Sequence, residues 1–332
     1  MKHLSVILAL SVAYVRAQEL NQIIVGCVEL DCPPSSADKV DDDCTVADNS
    51  FSYVGLTSLP TQNTDLKGKV TWTKGFNITD TPDNNRTFNS AFYLGTSPDL
   101  DLSNTGACAV LFHGIETSLS FDLVDGDRDT AQGTCSDAMG GKTCVAALVD
   151  RAKRVLGTFG NDTPSSEEAC AKLQDDLYNN MDAACLYTSK GSWTNLTSAV
   201  LSGKGAPEPL SGDKNASSTC WPVLPKENQL TLVSEYQKNG SRQADEAQAA
   251  MHAVTPILTL FFPTGNQSIV TEADASLSCL KVVGPSKASV DTMMDGSQDS
   301  DSDPDSGASK RFSSHSVFFG VIVATVAAAW LA

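Results

Sequence analysis

The sequence predicts an α+β fold: an antiparallel β-rich N-terminal part followed by a helical part, the whole stapled by disulfides. Three observations predict it. Apolar residues recur with period two through residues 51–124. A helical period takes over from residue 145. Ten cysteines are spread across both parts. The chain has 332 residues, 41% of them hydrophobic and 19% charged, an ordinary globular balance. That length suffices for one large domain or two smaller ones.

Residues 18–45 begin with the apolar run Ile23-Ile24-Val25 and then turn loop-like. Pro33-Pro34, the acidic run Asp41-Asp42-Asp43 and the close-set Cys27, Cys32 and Cys44 predict an irregular segment tied by disulfides. Strands follow. Val70, Trp72, Phe76 and Ile78 alternate with Thr71, Thr73, Gly75 and Asn77, which predicts a half-buried strand with Lys74 as its one exception. Phe88 and Phe92-Tyr93-Leu94 form a second strand, ended by Gly95 and Pro98. Cys108-Ala109-Val110-Leu111-Phe112 reads as a fully buried strand. Leu119, Phe121 and Leu123 alternate with Ser120, Asp122 and Val124. Short runs separated by turn residues point to an antiparallel sheet or sandwich.

Val145, Leu148, Val149, Ala152, Val155 and Leu156 then share one helical face, with Gly157 placed to end it. Ser165 with Glu168 makes a capping box for a second helix. Cys170, Leu173, Leu177, Met181 and Cys185 lie along its apolar face. In a continuous helix the two cysteines stand ~22 Å apart, so each must staple to a different neighbour. Residues 189–224 are rich in Gly, Pro, Ser and Asn and read as a long surface loop around Cys220-Trp221-Pro222. A third helix is expected over residues 242–254. Leu258, Phe261 and Phe262 continue its spacing beyond Pro256, read as a kinked helix in preference to a strand starting at Ile257. Residues 286–306 form a Ser/Asp linker too polar to fold.

The two ends read as processing signals. Residues 1–17 carry a basic start, an apolar stretch and Val15-Arg16-Ala17 before a cleavage point, as a secretory signal peptide does. Ser306-Gly307-Ala308 is a small-residue triplet, followed by a polar spacer over 309–316 and an apolar tail over 317–332. These are the parts of a GPI-anchor signal, with Ser306 as attachment residue and Asp305 or Gly307 as alternatives. The expected layout is a signal peptide at 1–17, a β-rich part at 18–130, a mainly helical part at 131–285, the linker at 286–306 and a removed propeptide at 307–332. Both cuts remove Lys2, Arg16, Lys310 and Arg311, which takes the formal net charge from −17 to −21. So acidic a chain opposes nucleic acid and anionic lipid surfaces.

All ten cysteines survive processing: Cys27, Cys32, Cys44, Cys108, Cys135, Cys144, Cys170, Cys185, Cys220 and Cys279. An even number behind a signal peptide predicts five disulfides, with connectivity open. No Cys-x-x-Cys pair supports zinc, and neither a metal nor a cofactor is expected. Sequons stand at Asn77, Asn85, Asn161, Asn195, Asn215, Asn239 and Asn266.

Catalytic motifs are absent: no Gly-x-Ser-x-Gly elbow and no His-Glu-x-x-His. His113, closing an apolar strand, and His252, on the third helix, are the histidines left in the processed chain, and both read as satisfied structural residues. Asp125, Asp127 and Asp129 match the start of a calcium loop, but Thr130 and Ser136 break it, so a solvated acidic turn is expected. Trp72, Trp193 and Trp221 are candidates for stacking on sugar rings, though core placement is the commoner fate of such residues.

The layout of signal, sequon-rich cysteine-stapled ectodomain, polar linker and GPI tail resembles the GPI-anchored surface glycoproteins of filamentous fungi. It differs from the compact eight-cysteine CFEM haem-binding module, because the cysteines span about 250 residues. It also lacks a long Ser/Thr-rich stalk. The resemblance implies a protein tethered by its lipid to the outer leaflet of the plasma membrane, or else held in the cell wall. Wall glycans or other surface proteins are the partners it implies. A structural, adhesive or ligand-binding role is expected, with a glycan-acting hydrolase using unidentified Asp or Glu residues as the alternative.

Overall fold

A computed structural model describes residues 23–35, 43–82, 85–114, 119–121, 127–160, 162–189, 193–211 and 216–289. The signal peptide, Ser306 and the GPI tail, Asn161, Asn215, Asp122 and Asp125 lie outside the described residues.

Among the described residues, eleven strands and five helices form three layers. Five strands make the first sheet: β1 (Ile24–Val25), β4 (Tyr53–Ser58), β5 (Val70–Asp80), β6 (Asn85–Thr96) and β9 (Gln229–Ser241), in that order. Four make the second, in the order β11 (Asp274–Leu280), β10 (Thr255–Pro263), β7 (Thr105–Gly114) and β8 (Thr194–Val200). Every pairing in both sheets is antiparallel. A small ribbon of β2 (Cys44–Val46) and β3 (Asn49–Phe51) stands beside the first sheet.

The sheets pack face to face. Trp72 of β5 donates its indole N–H to the Thr259 hydroxyl of β10 at 3.1 Å, with both groups buried. The helices cover the other face of the four-stranded sheet: α2 (Lys142–Gly157) lies on β10 and β11, and α3 (Ser166–Asn179) on β7 and β8. The short α1 (Cys135–Ala138) and α4 (Leu186–Ser189) flank them. One apolar core runs from Ile24 to Val283, so the strand-rich and helix-rich parts share a single interior. No helix among the described residues is long and apolar enough to cross a membrane.

The helical period and the Ser165 cap appear as the sequence predicts, while Gly157, expected just past the end of α2, is its last residue and Thr158 caps it. Leu148, Ala152 and Val155 are the buried face of α2. Ser165 accepts from the Glu168 amide, and the Glu168 carboxylate answers the Ser165 amide at 2.9 Å. Three expectations about the elements between residues 165 and 262 need correction. The second helix stops at Asn179, and Cys185 sits in a separate 3-10 turn, Ala183–Cys185. The region expected as a surface loop contains β8, an edge strand paired only with β7, whose Thr, Asn and Ser content disguised it. The third helix, α5 (Ala244–His252), ends before Pro256, and β10 begins at Thr255. A continuous apolar run cannot distinguish buried helix from buried strand by period alone. Pro256 is tolerated because its only partner strand is β11; pairing with β7 begins one residue later, at Ile257. Strands β8 to β11 therefore fall within the segment expected to be mainly helical.

The β5 strand is buried on both sides from Val70 to Phe76, beyond the half-burial its alternation predicts. Its outer face is covered by the segment around Cys220. The Thr73 hydroxyl donates to the Pro222 carbonyl at 2.7 Å, and Phe51 fills the space over Gly75.

Disulfides join Cys108 of β7 to Cys170 of α3, Cys135 of α1 to Cys279 of β11, and Cys144 of α2 to Cys185. The Cys220 sulfur lies within bonding reach of both Cys32 and Cys44 and takes one of them at a time. Cys27 departs from the expected five bonds: it is a buried thiol, pushed up to about 11 mainly by its burial. Burial of that kind makes a thiol unreactive.

Candidate functional site

The inward-facing side of β5 carries Val70, Trp72, Lys74 and Phe76 in succession. Lys74 thus enters the space between the sheets, and only 2% of it is exposed. Its neighbours in register widen the gap there into a cavity of about 280 Å³. Phe88 and Phe92 of β6, Phe112 and His113 of β7, Tyr236 of β9, Ala250 of α5 and Val254 just past it line the cavity, with Ser90, Lys238, Glu246 and Thr255 as its further polar members. Phe92 is directly opposite Lys74 in the β5–β6 ladder, and its ring centroid lies 5.9 Å from the lysine nitrogen.

Lys74 Nζ donates to the Ala253 carbonyl at 3.1 Å and to the Thr255 hydroxyl at 3.2 Å. An ammonium carries three hydrogens and a neutral amine two. Among the described residues no carboxylate pairs with it. The acceptors therefore satisfy the neutral amine and leave the ammonium short of one partner and of a counter-charge. Burial, with a smaller contribution from the Lys281 charge, brings the amine down to about 7.

His113 stacks on Tyr236, ring centroids 4.3 Å apart and planes 4° from parallel, and its other neighbour is Phe92 at 5.3 Å. Its Nε2 is buried and has no hydrogen-bond partner, which corrects the expectation of a satisfied structural histidine. Burial first, then the Lys74 charge, lowers its proton affinity to about 4. At neutral pH the imidazole is uncharged. The remaining carboxylate at the cavity, Glu246, accepts from the Ser241 amide at 2.8 Å and from its hydroxyl, so it is engaged elsewhere.

A second buried lysine has a different environment. Lys281 Nζ donates to the carbonyls of Arg128, Asp129 and Val282 at 2.9, 2.8 and 3.1 Å. Gly55 is what admits it: a Cβ there would meet the Lys281 carbonyl oxygen at 1.9 Å. Burial lowers this amine to about 8, opposed by the nearby Asp129 and Asp127. His252 is close by, its Nε2 3.6 Å from Asp129 and its Nδ1 buried without a partner, so it too departs from the satisfied residue expected. Asp127 and Asp129 hold Lys287, at 2.7 and 3.9 Å, so a lysine stands where the calcium reading would put a cation.

The aromatics considered for sugar stacking are interior residues. Trp72 and Trp193 are buried, and the half-buried Trp221 donates its N–H to the Asn228 carbonyl. Among the sequons, Asn85, Asn195, Asn239 and Asn266 are exposed. Asn77 is half-buried, and its amide donates to the Ser50 carbonyl at 3.0 Å. Among the described residues, the one group with metal-ligand proximity is Cys32, Cys44 and Cys220, where a disulfide from Cys220 to one of the other two accounts for the closeness.

The structure brings together Lys74, His113 and Tyr236, of which sequence reasoning singled out only His113 as a candidate. The signal for Lys74 was present as the cation interrupting an apolar alternation. Tyr236 gave none, because it comes from the far end of the chain. Comparison with known protein families, curated proteins and solved structures finds no match.

Proposed function

We propose that this chain is a GPI-anchored, glycosylated ectodomain that binds a small, largely apolar ligand between its two sheets. The supporting observation is the aromatic-lined cavity that also holds the Lys74 amine and the unpartnered His113 Nε2. Ligand pockets combine apolar walls with a few oriented polar groups in this way. At about 280 Å³ the cavity lies just under the ~300–1,000 Å³ common for such pockets, so the ligand is small. The tether rests on the signal-like ends and the small-residue triplet at Ser306. The exposed Asn85, Asn195, Asn239 and Asn266 fit a glycan-bearing surface.

Ligand binding is tested by saturation-transfer NMR of the purified protein against a panel of small aromatic and aliphatic compounds. Binding should weaken at least tenfold in Ala250→Phe, which fills the cavity. Equal binding by that variant, or no binding across the panel, rejects the proposal. Surface attachment is tested separately with phosphatidylinositol-specific phospholipase C, which should release the protein from intact cells. Retention, while a control GPI protein is released, contradicts the anchor.

A further inference from the structure

Two buried polar groups at one cavity invite a specific chemistry. Lys74 Nζ has acceptors for two hydrogens, Ala253 O and Thr255 Oγ1, and no carboxylate partner among the described residues. A neutral amine in that setting spends its hydrogens on those acceptors and keeps its lone pair for another atom. Phe92, Phe112 and Tyr236 line the same space. His113 Nε2 supplies an uncommitted proton site on the same cavity wall.

We propose that Lys74 captures a small apolar aldehyde as a reversible imine in this cavity. The inference rests on the ligand-binding reading above and names the ligand's reactive group. The Lys74 lone pair attacks the carbonyl carbon, and the C=O π pair moves to oxygen. A proton passes from nitrogen to that oxygen, with His113 Nε2 as the cavity group able to take and return it, giving a carbinolamine. Loss of the hydroxyl with the second nitrogen proton forms the C=N bond and releases one water. No electrons are gained or lost, and hydrolysis reverses every step. Thr255 can then turn its hydroxyl to donate to the imine nitrogen. The low proton affinity of Lys74 supports the same conclusion, since a desolvated lysine is nucleophilic near neutral pH.

The test uses the full-length chain expressed in a eukaryotic secretory host and purified as the cell processes it. Cinnamaldehyde, substoichiometric at pH 7 with cyanoborohydride, should leave one reduced adduct that peptide mapping assigns to Lys74. Exposed lysines such as Lys67 and Lys204 should carry at least tenfold less. Cinnamyl alcohol, which cannot form an imine, should occupy the cavity by saturation-transfer NMR and slow the trapping. His113→Phe should slow adduct formation at least fivefold. Alcohol binding without a Lys74 adduct overturns the imine and leaves the ligand-binding reading intact. Failure of both compounds to bind overturns both. Adducts spread over exposed lysines at equal rates also overturn it, whatever the fate of any variant.

Discussion

Lys74 and Lys281 are both buried lysines within one fold, yet their surroundings are built for opposite charge states. Lys281 has three backbone carbonyls for its three hydrogens, with Asp127 and Asp129 nearby. Lys74 has two acceptors, no carboxylate among the described residues and a cavity beside it. The first is a structural clamp between the 128–129 turn and the end of β11. The second is an amine held ready for something that is not part of the chain. Burial alone does not separate the two roles; the count of acceptors against hydrogens does.

The comparison breaks most visibly in stability. Lys281→Met strands three carbonyls, and we expect a loss of about 3–5 kcal/mol by urea titration. Lys74→Met strands one carbonyl and one hydroxyl but relieves a buried amine that lacks a counter-charge, and at pH 7 it should be no less stable than the wild type. Equal losses in the two variants would erase the distinction.

The next effect concerns pH. The folded Lys74 amine, near 7, binds protons less tightly than in the unfolded chain. Between pH 7 and about 10.4 the unfolded state therefore holds the extra proton, and stability rises with pH by up to about 1.4 kcal/mol per unit. Below pH 7 this contribution is absent. Lys281 is lowered in the same sense, so the Lys74 part is read as the difference between wild type and Lys74→Met. That difference should favour the variant most near neutral pH and shrink toward pH 10. A flat difference across pH 7–10 would mean that Lys74 remains an ordinary lysine.

A smaller effect sharpens the role of His113. The His113→Phe variant keeps the stacking on Tyr236 and removes the unpartnered nitrogen. Its stability should stay within about 1 kcal/mol of wild type, because no hydrogen bond is lost. A larger loss would reveal a partner that Nε2 holds in solution.

Much of the local structure was legible because local rules govern it. The Ser165–Glu168 box and the apolar face of α2 involve residues three or four apart, and both appear as read. The separation of Cys170 from Cys185 was a matter of distance along the chain, and each does bond elsewhere. What stayed hidden depends on which strands lie next to one another. Leu258, Phe261 and Phe262 fit a helical spacing as well as a buried strand, and only the neighbours β7 and β11 decide between them. Lys74 looked like a flaw in an amphipathic strand because nothing local says that Ala253 and Thr255, 179 and 181 residues on, accept from its amine. The cavity itself joins β5, β6, β7 and β9 with α5, segments spread over more than 150 residues, so no window of sequence could show it.

The most direct test of the central claim is an NMR pH titration of the Lys74 side chain, selectively labelled at Cε and Nζ, in the folded protein. The account predicts a transition from ammonium to amine near pH 7, which shifts upward in Thr255→Asp as a carboxylate supplies the missing acceptor and counter-charge. A Lys74 signal that stays ammonium to pH 10 would contradict it.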